Sequence, residues 1–269
     1  MNPADMVCRG LGELRARRPM IHHITNSVVM NFTANVTLCL GAAPVMAPCI
    51  DESPEMVRYA GALLLNIGTL DPQLVKSMLA AGKAANENGI PVILDPVGAG
   101  ATSLRTDSAR RLADELDISI VRGNAGEVLA LAGEGGKVRG VDSMESLDER
   151  ENIVKELALR HGWVVAVTGK TDIVTDGRSV AEVENGHPLM ARVTGTGCAA
   201  TTAVACFAAS MDGAFEAAVC GIISMGIAGE MAAEVSGGPG SFVPGFLDAL
   251  AKLCPEIIRE RTRAGVNDR

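Results

Sequence analysis

The feature that most constrains this chain is an alternation. Short apolar runs rich in branched residues, roughly Pro19 to Ile24, Ala43 to Ala47, Ala62 to Ile67, Pro91 to Asp95 and Ile118 to Arg122, are separated by stretches of helical pattern. Those stretches are Ser27 to Leu40, Glu55 to Ala60, Pro72 to Asn88, Asp107 to Leu116 and Ala125 to Ala132, and several begin at or just after Ser, Asp or Asn, as N-caps do. A strand reached through a helix returns to the same end of the sheet and pairs in parallel, so the pattern predicts βαβ units. From Trp163 the pattern changes. Trp163 to Thr168, Asp172 to Thr175, Val180 to Glu184 and Leu189 to Val193 read as strands, with turns such as Asp176-Gly177 and Asn185-Gly186 between them. An antiparallel meander beside the parallel sheet is expected. Cys198 to Met211, Ala214 to Val235 and Phe242 to Leu253 read as helices, and the charged tail after about residue 259 as frayed. No repeat, linker or composition break divides the 269 residues, so one α/β domain over 1–269 is expected, with Gly133 to Gly140 as a mobile loop.

Composition excludes several classes of function. The formal charge is -8, with 24 Lys+Arg against 32 Asp+Glu and no long basic run, which argues against nucleic-acid binding. Aromatic residues make up only 3% of the chain, so the core has to be filled by Ala, Val, Leu, Ile and Met. The uncharged stretch Val193 to Met211 is too rich in Thr, Gly and Ala for a lipid-facing span, and Met20 to Ile50 is interrupted by His22, His23, Asn26, Asn31 and Asn35. No membrane segment and no secretory signal is read, leaving the cytoplasm as the expected compartment. The seven cysteines are never closer than eight positions, which excludes C-x-x-C pairs; most are expected to be reduced and buried. His22 and His23 point to opposite faces of a strand and cannot share one ligand face; they read as packing residues.

In parallel sheets ligands bind beyond the carboxyl ends of the strands. Here those ends carry Asn26, Asn66, Asp95, Arg122-Gly-Asn124 and Thr168-Gly169. The sharpest local feature is Thr194-Gly-Thr-Gly-Cys198, a turn that opens a small-residue helix. Its glycines permit close backbone approach and its free N–H groups suit an anion. The helix dipole adds only about 0.3–1 kcal/mol, whereas preorganised donors facing developing charge supply roughly 3–4 kcal/mol. The same residues satisfy G-x-G-x-x-A, but the acidic-ended strand that a dinucleotide site needs about 20 residues on is missing, so that reading is rejected. Asp95 and Glu127 can face one crevice and suit Mg²⁺, while Asn124 and Glu127 can equally form a capping box; the two readings are compatible. Arg122 offers a planar fork for phosphate or a surface ion pair, and Thr168-Gly169-Lys170 either touches nucleotide or simply turns the chain. Cys198, near a helix start, is a reactive thiol or an inert one, and Asn26 either orients a ligand or caps a helix. No G-x-x-x-x-G-K-[ST] segment is present.

Taken together, His22-His-Ile-Thr-Asn26, Asn31-Phe-Thr-Ala-Asn35, Gly41-Ala-Ala-Pro-Val-Met46, Asp95-Pro-Val-Gly98 with Gly100-Ala-Thr102, Arg122-Gly-Asn-Ala-Gly-Glu127, Gly140-Val-Asp142, Val193-Thr-Gly-Thr-Gly-Cys198 and Gly238-Pro-Gly-Ser-Phe242 resemble the hydroxyethylthiazole kinase family over about Pro19 to Leu250. The resemblance implies a ribokinase-like three-layer αβα sandwich with a mostly parallel central sheet, usually a homotrimer with sites between subunits. The implied reaction is ATP-dependent phosphorylation of the hydroxyl of 4-methyl-5-(2-hydroxyethyl)thiazole in thiamine salvage. By the same resemblance Met46 and Gly195 bind the thiazole, Arg122 and Thr168 bind ATP, and Asp95 and Glu127 form the Mg²⁺ site; Asn26 joins the substrate-binding candidates from its strand end, and Gly197 and Cys198 are the catalytic candidates of the glycine turn. Cys198 stands where most ribokinase-like enzymes carry an aspartate base. The chain departs from common family wording at Gly126 and at Ala199-Ala200. Two alternatives stay open: a related kinase acting on another small alcohol such as a hydroxymethylpyrimidine, and a non-catalytic ligand-binding oligomer.

Overall fold

A computed structural model of the chain describes residues 2–133 and 147–268. Strands β1 (Met20–Ile24), β2 (Ala43–Met46), β3 (Ala62–Asn66), β4 (Val92–Asp95), β5 (Ile120–Asn124) and β6 (Val164–Thr168) pair in parallel. Strands β7 (Asp172–Thr175), β8 (Ser179–Val183) and β9 (Ala264–Asp268) continue the sheet antiparallel, in the order β2-β1-β3-β4-β5-β6-β7-β8-β9. Helices cover both faces. Ile21, Leu64, Ile93 and Ile120 pack with α1 (Pro3–Arg17), α2 (Met30–Leu40), α8 (Thr196–Ala208), α9 (Ala214–Val235) and α10 (Pro239–Lys252). Their strand neighbours Leu63, Leu65, Val92, Leu94 and Val121 pack on the other face with α4 (Pro72–Glu87), against which the short α3 (Ser53–Met56) lies, and with α5 (Ser103–Glu115), α6 (Ala125–Leu131) and α7 (Leu147–His161). The period-2 alternation of strand side chains thus fills two separate cores, and the expected αβα sandwich results.

A core so poor in aromatics packs by backbone approach. Every residue of α8 from Ala199 to Ala208 is buried. A Cβ placed on Gly221 of α9 would lie 2.6 Å from the backbone nitrogen of Val204, so a side chain there would push these two helices apart. Helix α9 is long and apolar enough to cross a membrane, but 72% of its most apolar window is buried inside the protein, as in a core helix.

Several expectations are corrected. Leu189 to Val193 is not a strand: Pro188–Arg192 forms a 3₁₀ helix, begun by a proline that has no N–H for a ladder and capped by His187, whose Nδ1 accepts from the Leu189 N–H at 3.2 Å. The place beside β8 goes instead to β9. The tail expected to fray after residue 259 is therefore ordered, as the end of α11 (Pro255–Arg261) followed by β9. Helices α1 and α7 have no counterpart in the sequence reading. Of the seven free cysteines only Cys206 and Cys220 are buried. In the expected loop Gly133 to Gly140, residues from 134 onward lie outside the described residues, as does the motif Gly140-Val-Asp142.

Candidate active site

The glycine turn opens α8 at the carboxyl ends of the central strands. Gly195 has φ +88°, a left-handed conformation, and a Cβ there would lie 2.7 Å from Cγ1 of Val29; the position demands glycine. No side chain caps this helix start. Its first-turn N–H groups are left to whatever fills the adjoining space. Thr196 fastens the turn from below, its hydroxyl donating to the carbonyl of Met190 at 2.9 Å.

Behind the turn lies a directed hydrogen-bond network. Oδ1 of Asn66 accepts from the Gly68 N–H at 2.9 Å and Oδ1 of Asn26 accepts from the Val29 N–H at 3.3 Å. Backbone N–H groups can only donate, so these bonds fix which way both amides face. The NH₂ of Asn66 then donates to Oδ2 of Asp95 at 2.7 Å and to Sγ of Cys198 at 3.2 Å. The NH₂ of Asn26 donates to Oδ1 of Asn66 at 2.8 Å and to the same sulfur at 3.5 Å. Thr201, one turn along α8 from Cys198, adds a second donor to Oδ2 of Asp95 at 2.7 Å. Burial, aided by the nearby Asp95, pushes the Cys198 thiol up to about 11, against the two amide donors and Arg122. The helix start does not make this sulfur a thiolate at neutral pH.

Asp95 is fully buried, and burial raises its carboxyl to about 6 despite Arg122, Thr201 and Asn66. Its Oδ1 is buried with no hydrogen-bond partner among the described residues, as is Nε of Arg122. Arg122 donates through Nη2 to the hydroxyl of Thr168. Asp172, also raised to about 6 by burial against the Gly169 N–H and Arg122, accepts from that N–H at 2.8 Å. Glu127 closes the capping box with Asn124 through Oε2 at 2.9 Å and accepts the Gly98 N–H through Oε1 at 2.8 Å. The capping reading thus holds, and the carboxylate still faces the cavity that Asp95 lines. Among the described residues no group of three or more His, Cys, Asp or Glu could hold a metal. The free Oδ1 of Asp95 and the spare lone pairs of Glu127 fit Mg²⁺, a cation that keeps waters and phosphate oxygens beside one or two carboxylates.

Two cavities meet here. One of about 390 Å³ is lined by Asn26, Asp95, Glu127, Gly195, Gly197 and Cys198, with Arg122 at its wall. The other, about 610 Å³, is lined by Arg122, Thr168, Asp172, Met190, Gly197 and Met225, among others. Arg122 and Gly197 belong to both, and a Cβ on Gly197 would stand 3.0 Å from Nη1 of Arg122. The fold therefore gathers eight of the nine candidate residues. Met46 is the exception: it ends the edge strand β2, paired with His23, and lines neither cavity. His22 and His23 are buried packing residues as expected, but only Nε2 of each is bonded, to Ala47 and Thr37 respectively, while both Nδ1 atoms lack a partner among the described residues; burial holds His23 down to about 3. Sequence reasoning passed over Asn66 as an actor, although it stands at a strand end, and gave no signal for Thr201, which looks like one more small residue of a buried helix.

The family model for the hydroxyethylthiazole kinase family matches residues 11–256. The hydroxyethylthiazole kinase of Chloroflexus aurantiacus is 53% identical over 250 residues, 93% of each chain. That of Thermoanaerobacter pseudethanolicus is 51% identical over 249 residues, 92% of this chain and 94% of the other. Among solved structures, the hydroxyethylthiazole kinase protein from Pyrococcus horikoshii OT3 superposes with a TM-score of 0.91 at 40% identity, covering 98% of this chain and all of that one. The pyridoxal kinase of Staphylococcus aureus matches with a TM-score of 0.64 at 13% identity over 93% of this chain and 99% of the other, a likeness of fold alone.

Proposed function

The chain belongs to the hydroxyethylthiazole kinase family, and from that premise we propose how its own residues carry out the transfer. The fold is ribokinase-like. The enzyme moves the γ-phosphoryl group of ATP to the hydroxyl of 4-methyl-5-(2-hydroxyethyl)thiazole, giving ADP and the thiazole phosphate, a salvage step in thiamine biosynthesis. In our reading the nucleotide occupies the cavity of about 610 Å³, its phosphates reaching Arg122 and Thr168. The thiazole occupies the cavity of about 390 Å³ with Asn26 and Gly195 at its walls, its hydroxyl beside Cys198. The observation that carries this is the shared wall. Gly197 and Arg122 border both spaces, so the phosphoryl group crosses where the first turn of α8 presents its N–H groups.

Phosphoryl transfer through a loose transition state asks more of positioning and charge stabilisation than of a strong base. That suits a thiol held up near 11. Cys198 positions the alcohol, its sulfur steadied by two amide donors. Arg122 and the glycine turn meet the growing negative charge. Asp95 and Glu127 would hold Mg²⁺, which when bound offsets charge on the phosphate oxygens. The enzyme works as one domain in the cytoplasm. A homotrimer with sites between subunits reconciles Met46, which is remote from both cavities, with contact to the thiazole.

Coupled detection of ADP tests the reading. ADP release is expected with the thiazole alcohol and Mg²⁺, and to fall away without either. Thiazole binding without ADP would leave a non-catalytic oligomer, and faster turnover of a hydroxymethylpyrimidine would reassign the substrate.

A further inference from the structure

The loop 184–187 forms part of the wall of the larger cavity: Glu184, Asn185, Gly186 and His187 all line it. It runs on from β8, and its Glu184–Arg263 backbone bond extends the β8–β9 ladder by one rung. It is held by a carboxylate on the core helix and by the C-terminal segment. Glu230 interrupts the apolar run of α9, and its side chain is only 13% exposed. Its Oε1 accepts from the Gly186 N–H at 2.8 Å, from Nδ2 of Asn185 at 3.0 Å and from Nη2 of Arg263 at 2.7 Å. Oε2 accepts Nη1 of Arg263 at 3.2 Å. A forked guanidinium on a carboxylate is a directional pair.

The C-terminal segment closes the clamp from the other side. The Glu184 N–H donates to the carbonyl of Arg263 at 2.8 Å, and the Arg263 N–H donates to Oδ1 of Asn185 at 2.8 Å. Asn185 in turn donates to the carbonyl of Arg261 at 2.8 Å. Helix α9 presses close enough that a Cβ on Gly226 would lie 2.5 Å from Cβ of Asn185, and one on Gly229 would lie 2.4 Å from Sδ of Met190, another lining residue. Loop, helix and tail are thus bonded and packed to one another.

We propose that Glu230, clamped by Arg263, is a positioning residue that sets the shape of the nucleotide cavity through the loop 184–187. The proposal rests on the reading of that cavity as the ATP site. Glu230 itself lines neither cavity, so its influence on nucleotide passes through Asn185 and Gly186. Removing it takes the acceptor from the Gly186 N–H and one of the two acceptors from the Asn185 amide at the cavity wall, and the loop shifts to satisfy them.

Steady-state kinetics of Glu230→Ala, Glu230→Gln and Arg263→Ala in the full chain, varying each substrate separately, test this. For Glu230→Ala the KM for ATP should rise about tenfold, with kcat and the KM for the thiazole held within about twofold. Glu230→Gln keeps an acceptor for the Gly186 N–H and should recover most of the loss. Arg263→Ala changes a half-exposed side chain, so it serves even if Glu230→Ala does not fold, and its KM for ATP should rise about threefold. An unchanged KM for ATP in Arg263→Ala and in folded Glu230→Ala overturns the proposal. A rise confined to the thiazole KM also overturns it, by moving the nucleotide out of this cavity. A wild-type chain that releases no ADP refutes the kinase reading instead.

Discussion

Asp95 illustrates how much of this site is set at the level of single atoms. Its folded carboxyl titrates near 6, above its ordinary value of 3.8, because it is buried. Between those values the native state holds a proton that the unfolded chain releases, so this group lowers stability as pH rises from about 4 through 6. The cost above pH 6 is on the order of 2–3 kcal/mol. Asp95→Asn should therefore raise the melting temperature at pH 8 relative to wild type while cutting kcat severely; thermal scans at pH 4 and pH 8 should show the gain only at the higher pH. Asn66 acts beside it. Asn66→Leu removes the donors to Asp95 and Cys198 together, and kcat should fall by roughly 100-fold, about 2.7 kcal/mol, with KM values little moved. A loss confined to KM would show that the amide only shapes the pocket. At this scale the sequence was partly legible: Asp95, Arg122 and Cys198 could be named from strand ends and a glycine turn. Asn66 and Thr201 could not be given roles, because what distinguishes them is the direction of hydrogen bonds between residues 29 to 132 positions apart.

Among the elements, the start of α8 carries the argument. Gly195 and Gly197 are both glycine for different reasons, and substitution separates them. Gly195→Ala places a Cβ against Val29 at a left-handed φ and should cost about 1–2 kcal/mol of stability, seen as a lower denaturant midpoint. Gly197 has no such φ, but a side chain there meets the Arg122 guanidinium between the cavities. Gly197→Val should suppress turnover at least tenfold with a smaller loss of stability; wild-type turnover in the folded variant would contradict the assignment. The βαβ order, the parallel strands and the capping box were readable because periodicity and cap chemistry are local. The 3₁₀ helix Pro188–Arg192 was not, since its apolar residues mimic a strand and its ladder position is taken by β9, some 70 residues later in the chain.

For the whole molecule, the sheet puts two cavities at one end and leaves β2 as its edge, with Met46 at the tip. In the proposed homotrimer the particle in solution should have three times the 27.8 kDa mass of the chain by light scattering, and Met46→Ala should raise the KM for the thiazole without altering that mass. A monomer of full activity would remove Met46 from the site. The C-terminal segment teaches the same lesson as β9: charge density suggested a free end, whereas Arg263 finds its partner on a buried helix that sequence order does not bring near.

The most direct test is a crystal structure with a non-hydrolysable ATP analogue and the thiazole alcohol bound together. The γ-phosphate should lie within hydrogen-bond distance of the Gly197 and Cys198 N–H groups, with the nucleotide against Arg122 and Thr168 and the thiazole hydroxyl beside the sulfur. Both ligands seated away from Gly197, or a γ-phosphate remote from the first turn of α8, would contradict the account.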